Sequence, residues 1–249
     1  MKKNLLNIIA VAPQINNPST EITGPAALFN FFINSKEVQE KACIDTFDIS
    51  GGKNERKIGS FSIGRAFFYL NLIPKILINI YRKKNAKIYI IIAPTKVGLI
   101  RDFIVIFFSY LFNRNLYCHA LGNYPIFYEN SNLILKSIIK ITLKYSRKII
   151  VEDDILKKGF AFLDNYKSKV ITLTNYFPIP KNRTLTKKKF DGLNIKILFM
   201  GNMIETKGYF CVLRAINSLS KNKKFNIKGY FAGKFYGLKS NKKNVKNSK

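Results

Sequence analysis

Residues 195–216, IKILFMGNMIETKGYFCVLRAI, decide the fold. The run Ile195-Lys196-Ile197-Leu198-Phe199-Met200 predicts a buried parallel strand. Gly201 breaks it, a polar turn follows, and Lys207-Gly208 leads into a helical pattern. There Phe210, Leu213 and Ile216 recur at three-residue spacing, and Val212 widens the apolar stripe. A strand, a glycine turn, a lysine and a helix start suit an anionic phosphate. Backbone N–H groups and the positive end of the helix dipole converge there, and Lys207 adds a point charge. A generic βα unit that binds nothing has the same periodicity, so pattern alone leaves both readings open.

Similar units run through the rest of the chain. Residues 5–12 read as the first strand of a parallel sheet. Asn7 interrupts the apolar run and no small-x-small end follows, which argues against a signal peptide. A polar loop over residues 14–23 leads to Gly24-Pro25 and an apolar helix, with Pro25 at its first position. Residues 43–49 predict a second strand and residues 51–62 a polar loop. Residues 63–82 predict an amphipathic helix kinked at Pro74. Residues 87–93 form the clearest buried strand and end in a loop at residues 94–98, of the kind that lines sites in doubly wound folds.

Residues 99–112 predict a buried or interfacial helix. The uncharged core, residues 103–112, is far short of the about 20 residues that a spanning helix needs. Residues 116–123 give a strand and its exit turn, which hold His119, the only histidine. By residue type alone, a lone histidine after a strand is a satisfied polar group more often than a catalytic one. A helix at residues 133–145 and a strand at Lys148–Val151 follow. Glu152-Asp153-Asp154 read as a helix N-terminus rather than a metal or general-base site, since adjacent carboxylates cannot all face one ion. Strands at residues 170–173 and 225–232 complete an alternation that supports parallel sheets.

Composition narrows the function classes. The chain has 249 residues, 47% of them hydrophobic, enough for a real core. Cys43, Cys118 and Cys211 are scattered, so with one histidine no metal-ligand spacing exists. A reducing, cytoplasmic setting fits them. Lys+Arg number 43 against 14 Asp+Glu, a formal charge of +29. Such a field suits an anionic membrane surface at the inner face of the cell membrane. It would also attract nucleic acid, the less favoured partner; the lysines are spread along the chain rather than gathered on one element, which lowers the weight of the charge for both. No Gly-x-Gly-x-x-Gly follows the first strand, which argues against a nicotinamide cofactor.

Leu198-Phe199-Met200-Gly201-Asn202, Glu205-Thr206-Lys207-Gly208 and Leu213-Arg214-Ala215-Ile216 together resemble the opening of the second domain of GT-B glycosyltransferases. The similar group is the retaining family called glycosyl transferases group 1, or family 4. Its pattern there is a strand ending in Gly-Arg, then Lys-Gly, then a helix ending near Leu-x-x-Ala. The Arg position holds Asn202 here. The resemblance implies an α/β, GT-B-like fold, with a doubly wound Rossmann-like first domain over residues 1–180. A linker at 181–194 and an incomplete second Rossmann-like domain at 195–249 would follow. The family's Glu-x7-Glu pair has no counterpart in this sequence.

It also implies transfer of a sugar from a nucleotide-sugar donor to a glycan or lipid-linked acceptor, in surface polysaccharide synthesis. Neither a metal nor a cofactor is implied. Lys207, Gly201 and Asn202 would hold the donor diphosphate, and Gly24 would let the opposing loop approach it. His119 and Gly122 match a His-x-x-Gly-like turn whose histidine contacts the donor sugar, and Asn175 resembles the Asn-bearing exit from the first domain. Two readings without sugar transfer stay open: an inactive, truncated relative, and a basic membrane- or nucleic-acid-binding protein.

Overall fold

The computed structural model describes residues 5–14, 24–50, 63–175, 193–221, 225–233 and 235. The chain divides into two compact units, Met1–Ile179 and Pro180–Lys249. The predicted loop at 51–62, most of the predicted linker and residues 236–249 lie outside the described residues.

Unit 1 runs β1 (Leu6–Ala12), α1 (Gly24–Ile33), α2 (Lys36–Lys41), β2 (Ala42–Asp48), α3 (Ile63–Arg82) and β3 (Lys87–Ile92). It continues with α4 (Lys96–Leu111), β4 (Leu116–Ala120), α5 (Tyr124–Glu129), α6 (Leu133–Lys144) and β5 (Lys148–Val151). The last elements are α7 (Asp154–Lys158), α8 (Tyr166–Lys169) and β6 (Val170–Thr172). The strands form one parallel sheet in the order β2-β1-β3-β4-β5-β6. The order reverses between β1 and β3, so unit 1 is a Rossmann-like α/β layer structure with a topological switch point there.

Strand alternation builds the two cores. Ile9, Val11, Ile88, Ile90, Cys118 and Ile149 face one side, where they meet Ile76 and Ile80 of α3, Val105 and Ile106 of α4, and Ile139 and Leu143 of α6. Ala10, Ala12 and Ile91 face the other, against Phe29 of α1. Residues such as Ile90, fully buried in the middle of the sheet, each contribute about 1.5–3 kcal/mol of burial.

Several local expectations are corrected. The predicted loop at 94–98 is shorter, because Thr95 caps α4 by accepting from the Gly98 N–H at 3.2 Å. A Cβ on Gly98 would stand 2.6 Å from the Ala93 Cβ, so this glycine serves close packing of helix start against strand end. The helix at residues 63–82 is as predicted, with Pro74 inside it. Pro25 is the second residue of α1, not the first. The short helices α2, α5, α7 and α8 lacked a periodic stripe long enough to predict.

Arg101 and Asp102 sit within α4, and both are buried. Asp102 accepts from the Ala93 N–H at 2.9 Å and from Arg101 Nε at 2.8 Å. Arg101 Nη1 donates to the Tyr69 hydroxyl, which donates to the Ile49 carbonyl at 3.1 Å. This chain of bonds ties α3, α4 and the exits of β2 and β3 together. Burial raises the Asp102 pKa, and the adjoining Arg101 cation opposes that rise.

Arg114 joins two helix ends. Its N–H donates to the Ser109 carbonyl at 2.8 Å, closing α4 next to Asn113 in the left-handed region at φ 54°. Its guanidinium donates to the carbonyls of Ile80, Tyr81 and Lys84 at the end of α3.

Unit 2 contains β7 (Asn194–Met200), a 3-10 turn at Glu205–Lys207, α9 (Tyr209–Ser220) and β8 (Asn226–Ala232). β7 and β8 pair in parallel, giving one βαβ unit. The expectation of a fully buried strand is corrected, because Leu198 and Met200 are 63% and 81% exposed. Ile195, Ile197 and Phe199 are half-buried. α9 packs on β8, and within unit 2 no other described helix lies on this two-stranded sheet.

Candidate functional site

Doubly wound sheets present their functional loops at the C-terminal ends of the strands. His119 lies one residue before the end of β4 on the face opposite Cys118, and only 3% of it is exposed. Its Nδ1 is 2.6 Å from the hydroxyl of Tyr89 on β3, the neighbouring strand. The Tyr89 ring is held in turn by Phe29 and Phe32 of α1.

Burial pushes the His119 imidazole down to about 4, so it is neutral at pH 7. Burial raises the Tyr89 phenol above its ordinary value, so it keeps its proton. With the phenol as donor to Nδ1, the ring hydrogen is assigned to Nε2. That Nε2 is buried and has no hydrogen-bond partner among the described residues. An orphaned buried donor is rare and costly, and it marks a place where a ligand acceptor would be rewarded.

Three strand exits meet at Glu152. Gly122, two residues past β4, adopts φ +74°, and its N–H donates to Glu152 Oε2 at 3.4 Å. Asn175, three residues past β6, donates its side-chain amide to Glu152 Oε1. Glu152 immediately follows β5, so one carboxylate spans the exits of β4, β5 and β6. The acidic trio thus divides its work. Asp153 caps α7 by accepting from the Leu156 N–H at 2.7 Å, as the sequence predicts, while Asp154 accepts from the Thr172 hydroxyl at 2.6 Å.

Gly24 is the first residue of α1, and a Cβ there would meet nothing within 4 Å. The loop before it lies outside the described residues. On the neighbouring exit, Gln14 donates its N–H to Asp48 Oδ1 at 3.1 Å, and its buried Nε2 has no partner among the described residues.

Unit 2 holds the predicted phosphate turn. Gly201, at φ +153°, donates its N–H to the Ala232 carbonyl at 2.8 Å. Gly233 crosses it so closely that a Cβ there would stand 2.0 Å from the Gly201 carbonyl oxygen. Asn202 is half-buried, and its carbonyl accepts from the Ile204 N–H at 2.9 Å. Lys207 ends the 3-10 turn with an exposed side chain. Gly208, at φ +75°, opens α9 without any side-chain cap. The first-turn N–H groups of α9 are therefore not taken by a cap, and Lys207 stands beside them.

The structure groups Gly122 and Asn175 around Glu152 in unit 1, and Gly201, Asn202 and Lys207 around one turn in unit 2. Sequence reasoning missed Tyr89 and the bridging part of Glu152. Tyr89 was signalled as the one residue with a polar tip in Ile88-Tyr89-Ile90-Ile91-Ile92. Among the described residues, no three His, Cys, Asp or Glu side chains gather as a metal site would require.

No protein-family model matches the chain, and no curated protein matches it in sequence. Among solved structures it is similar to Anabaena Alr3699/HepE in complex with UDP and glucose, at 11% identity and a TM-score of 0.45. It is also similar to the same protein with UDP-glucose, at 10% and 0.45, and with UDP, at 10% and 0.46. Each match covers 90% of this chain and 69% of that one. The α/β assignment rests on the strand order and packing above.

Proposed function

We propose that this chain transfers a sugar from a nucleotide-sugar donor to a glycan or lipid-linked acceptor in polysaccharide synthesis, retaining the anomeric configuration. In that reaction the bond from the anomeric carbon to the diphosphate oxygen breaks and a bond to an acceptor hydroxyl oxygen forms. The acceptor proton leaves and the nucleoside diphosphate departs. Lys207, with Gly201, Asn202 and the uncapped start of α9, holds the diphosphate and stabilises the charge that develops on it. His119 orients the sugar through Nε2. Gly122 and Asn175, both held by Glu152, shape the sugar and acceptor side, and Gly24 leaves room for its loop to approach the phosphates.

The observation that carries this reading is the buried, neutral His119, with one nitrogen held by Tyr89 and the other without a partner among the described residues. A buried imidazole of this kind suits a neutral polyhydroxyl ligand better than a proton-transfer step at pH 7.

Thermal unfolding against nucleoside diphosphates and nucleotide-sugars, UDP and UDP-glucose included, tests it. A ligand at a hundred times its Kd adds about 2.7 kcal/mol, which a melting curve resolves. The expected result is a shift with one nucleotide that disappears in Lys207→Ala. No shift with any nucleotide would favour a binding protein without sugar chemistry.

A further inference from the structure

α3 exposes Ile63, Phe67, Leu70, Pro74, Ile78 and Tyr81. Their spacing follows the helical repeat, so they form one stripe about 27 Å long. The stripe lies opposite Ile76 and Ile80, which are buried against the sheet. A soluble helix normally places its polar residues there. Here Leu70 is 67% exposed, and the cations Lys75 and Arg82 only flank the apolar line.

The neighbouring helices repeat the arrangement. α4 packs between α3 and α6, and all three send their buried residues into the same core. Their opposite faces therefore point the same way. α4 exposes Ile100 and Leu111 there, and α6 exposes Leu133, Ile134 and Ile141. Lys96, Lys140 and Lys144 are the exposed charges beside them. Across α3, α4 and α6 the only acidic residue is Asp102, which is buried. The outer faces of these three helices thus combine apolar side chains with cations and carry no exposed acidic side chain of their own.

We propose that this α3–α4–α6 face docks on the surface of an anionic lipid bilayer. The apolar stripe enters the boundary between headgroups and acyl chains, and the lysines reach back to the phosphates. The charge pattern selects this occupant. A second copy of the chain would set cation against cation, and a nucleic acid would give the exposed Ile, Leu and Phe residues nothing to bury against. No described helix is long and apolar enough to cross a membrane, so the contact is in-plane. The proposal stands independently of sugar transfer.

The chain contains no tryptophan, so Leu70→Trp in the full chain gives a single fluorescent reporter on the face. With vesicles of phosphatidylcholine plus phosphatidylglycerol, its emission should shift to the blue and be quenched by brominated acyl chains. Phosphatidylcholine alone should give little of either, and Phe31→Trp in α1, which packs on the opposite face of the sheet, should stay unshifted. Phe67→Trp serves as a second reporter should the first fold poorly. Replacing Lys75, Lys140 and Lys144 with Glu should weaken vesicle binding about a hundredfold. The same charge change at Lys158, Lys167 and Lys221 should leave most of it.

Three outcomes would overturn the proposal. The protein could sediment with vesicles while neither reporter shifts. The two lysine triples could weaken binding equally, which would mean attraction by overall charge. A concentration-dependent blue shift without vesicles would mean that a second copy covers the face.

Discussion

β3 and β7 are both short apolar strands in parallel pairings, yet they meet opposite surroundings. β3 has a strand on each side and helices over both faces, and Ile88, Ile90 and Ile92 are essentially inaccessible. β7 has one partner and α9 nearby, and its Leu198 and Met200 stand in the open. An apolar run therefore states what a strand is able to bury, while the number of neighbouring layers states what it does bury. The cations differ in the same way. Arg101 is enclosed with a carboxylate in unit 1, and Lys207 is exposed in unit 2.

The sharpest way to test this contrast is to remove the enclosed cation. Arg101→Met leaves Asp102 buried without its partner and should cost about 3–5 kcal/mol in urea unfolding, whereas Lys207→Met should stay within about 0.5 kcal/mol. Equal costs would mean that the two cations do not differ in burial as described. Next come the strands. Ile90→Ala should cost about 2–5 kcal/mol, and Leu198→Ala less than about 0.5 kcal/mol. A large loss at Leu198 would reveal a covering layer over β7.

The smallest effect expected is a pH dependence confined to unit 1. His119 has a folded pKa of about 4 against 6.5 for the free side chain, so the unfolded chain binds the proton more readily. Its stabilising contribution is present above pH 6.5 and is lost as pH falls towards 4. Between pH 7 and pH 5 the loss is about 2 kcal/mol. Denaturant unfolding of the wild type and of His119→Gln at both pH values isolates this term, because the variant should lose that much less stability. Parallel pH dependences would mean that His119 is solvated.

The parallel alternation was legible because each strand in unit 1 is an apolar run and the longer helices carry a stripe. The helix at residues 63–82 was read to the residue. Burial was less legible, since Ile195 to Met200 resembles Ile88 to Ile92 in composition and differs in neighbours. At the site, Lys207 and Gly201 were visible from local spacing. The contact of Tyr89 with His119 was not, since it crosses between strands 30 residues apart. Glu152 was visible as part of an acidic trio, but only the strand order brings it to Gly122 and Asn175. The bond between Arg101 and Asp102, which lets both turn inward, was not legible either.

Arg114 has a mechanical consequence. One residue holds the last carbonyls of α3 through its side chain and closes α4 through its backbone. Sliding or splaying of the two helices would have to break these bonds together, so their shared end resists shear. The exposed face they carry is accordingly a stiff plate, whose tilt against any flat surface is set for both helices at once.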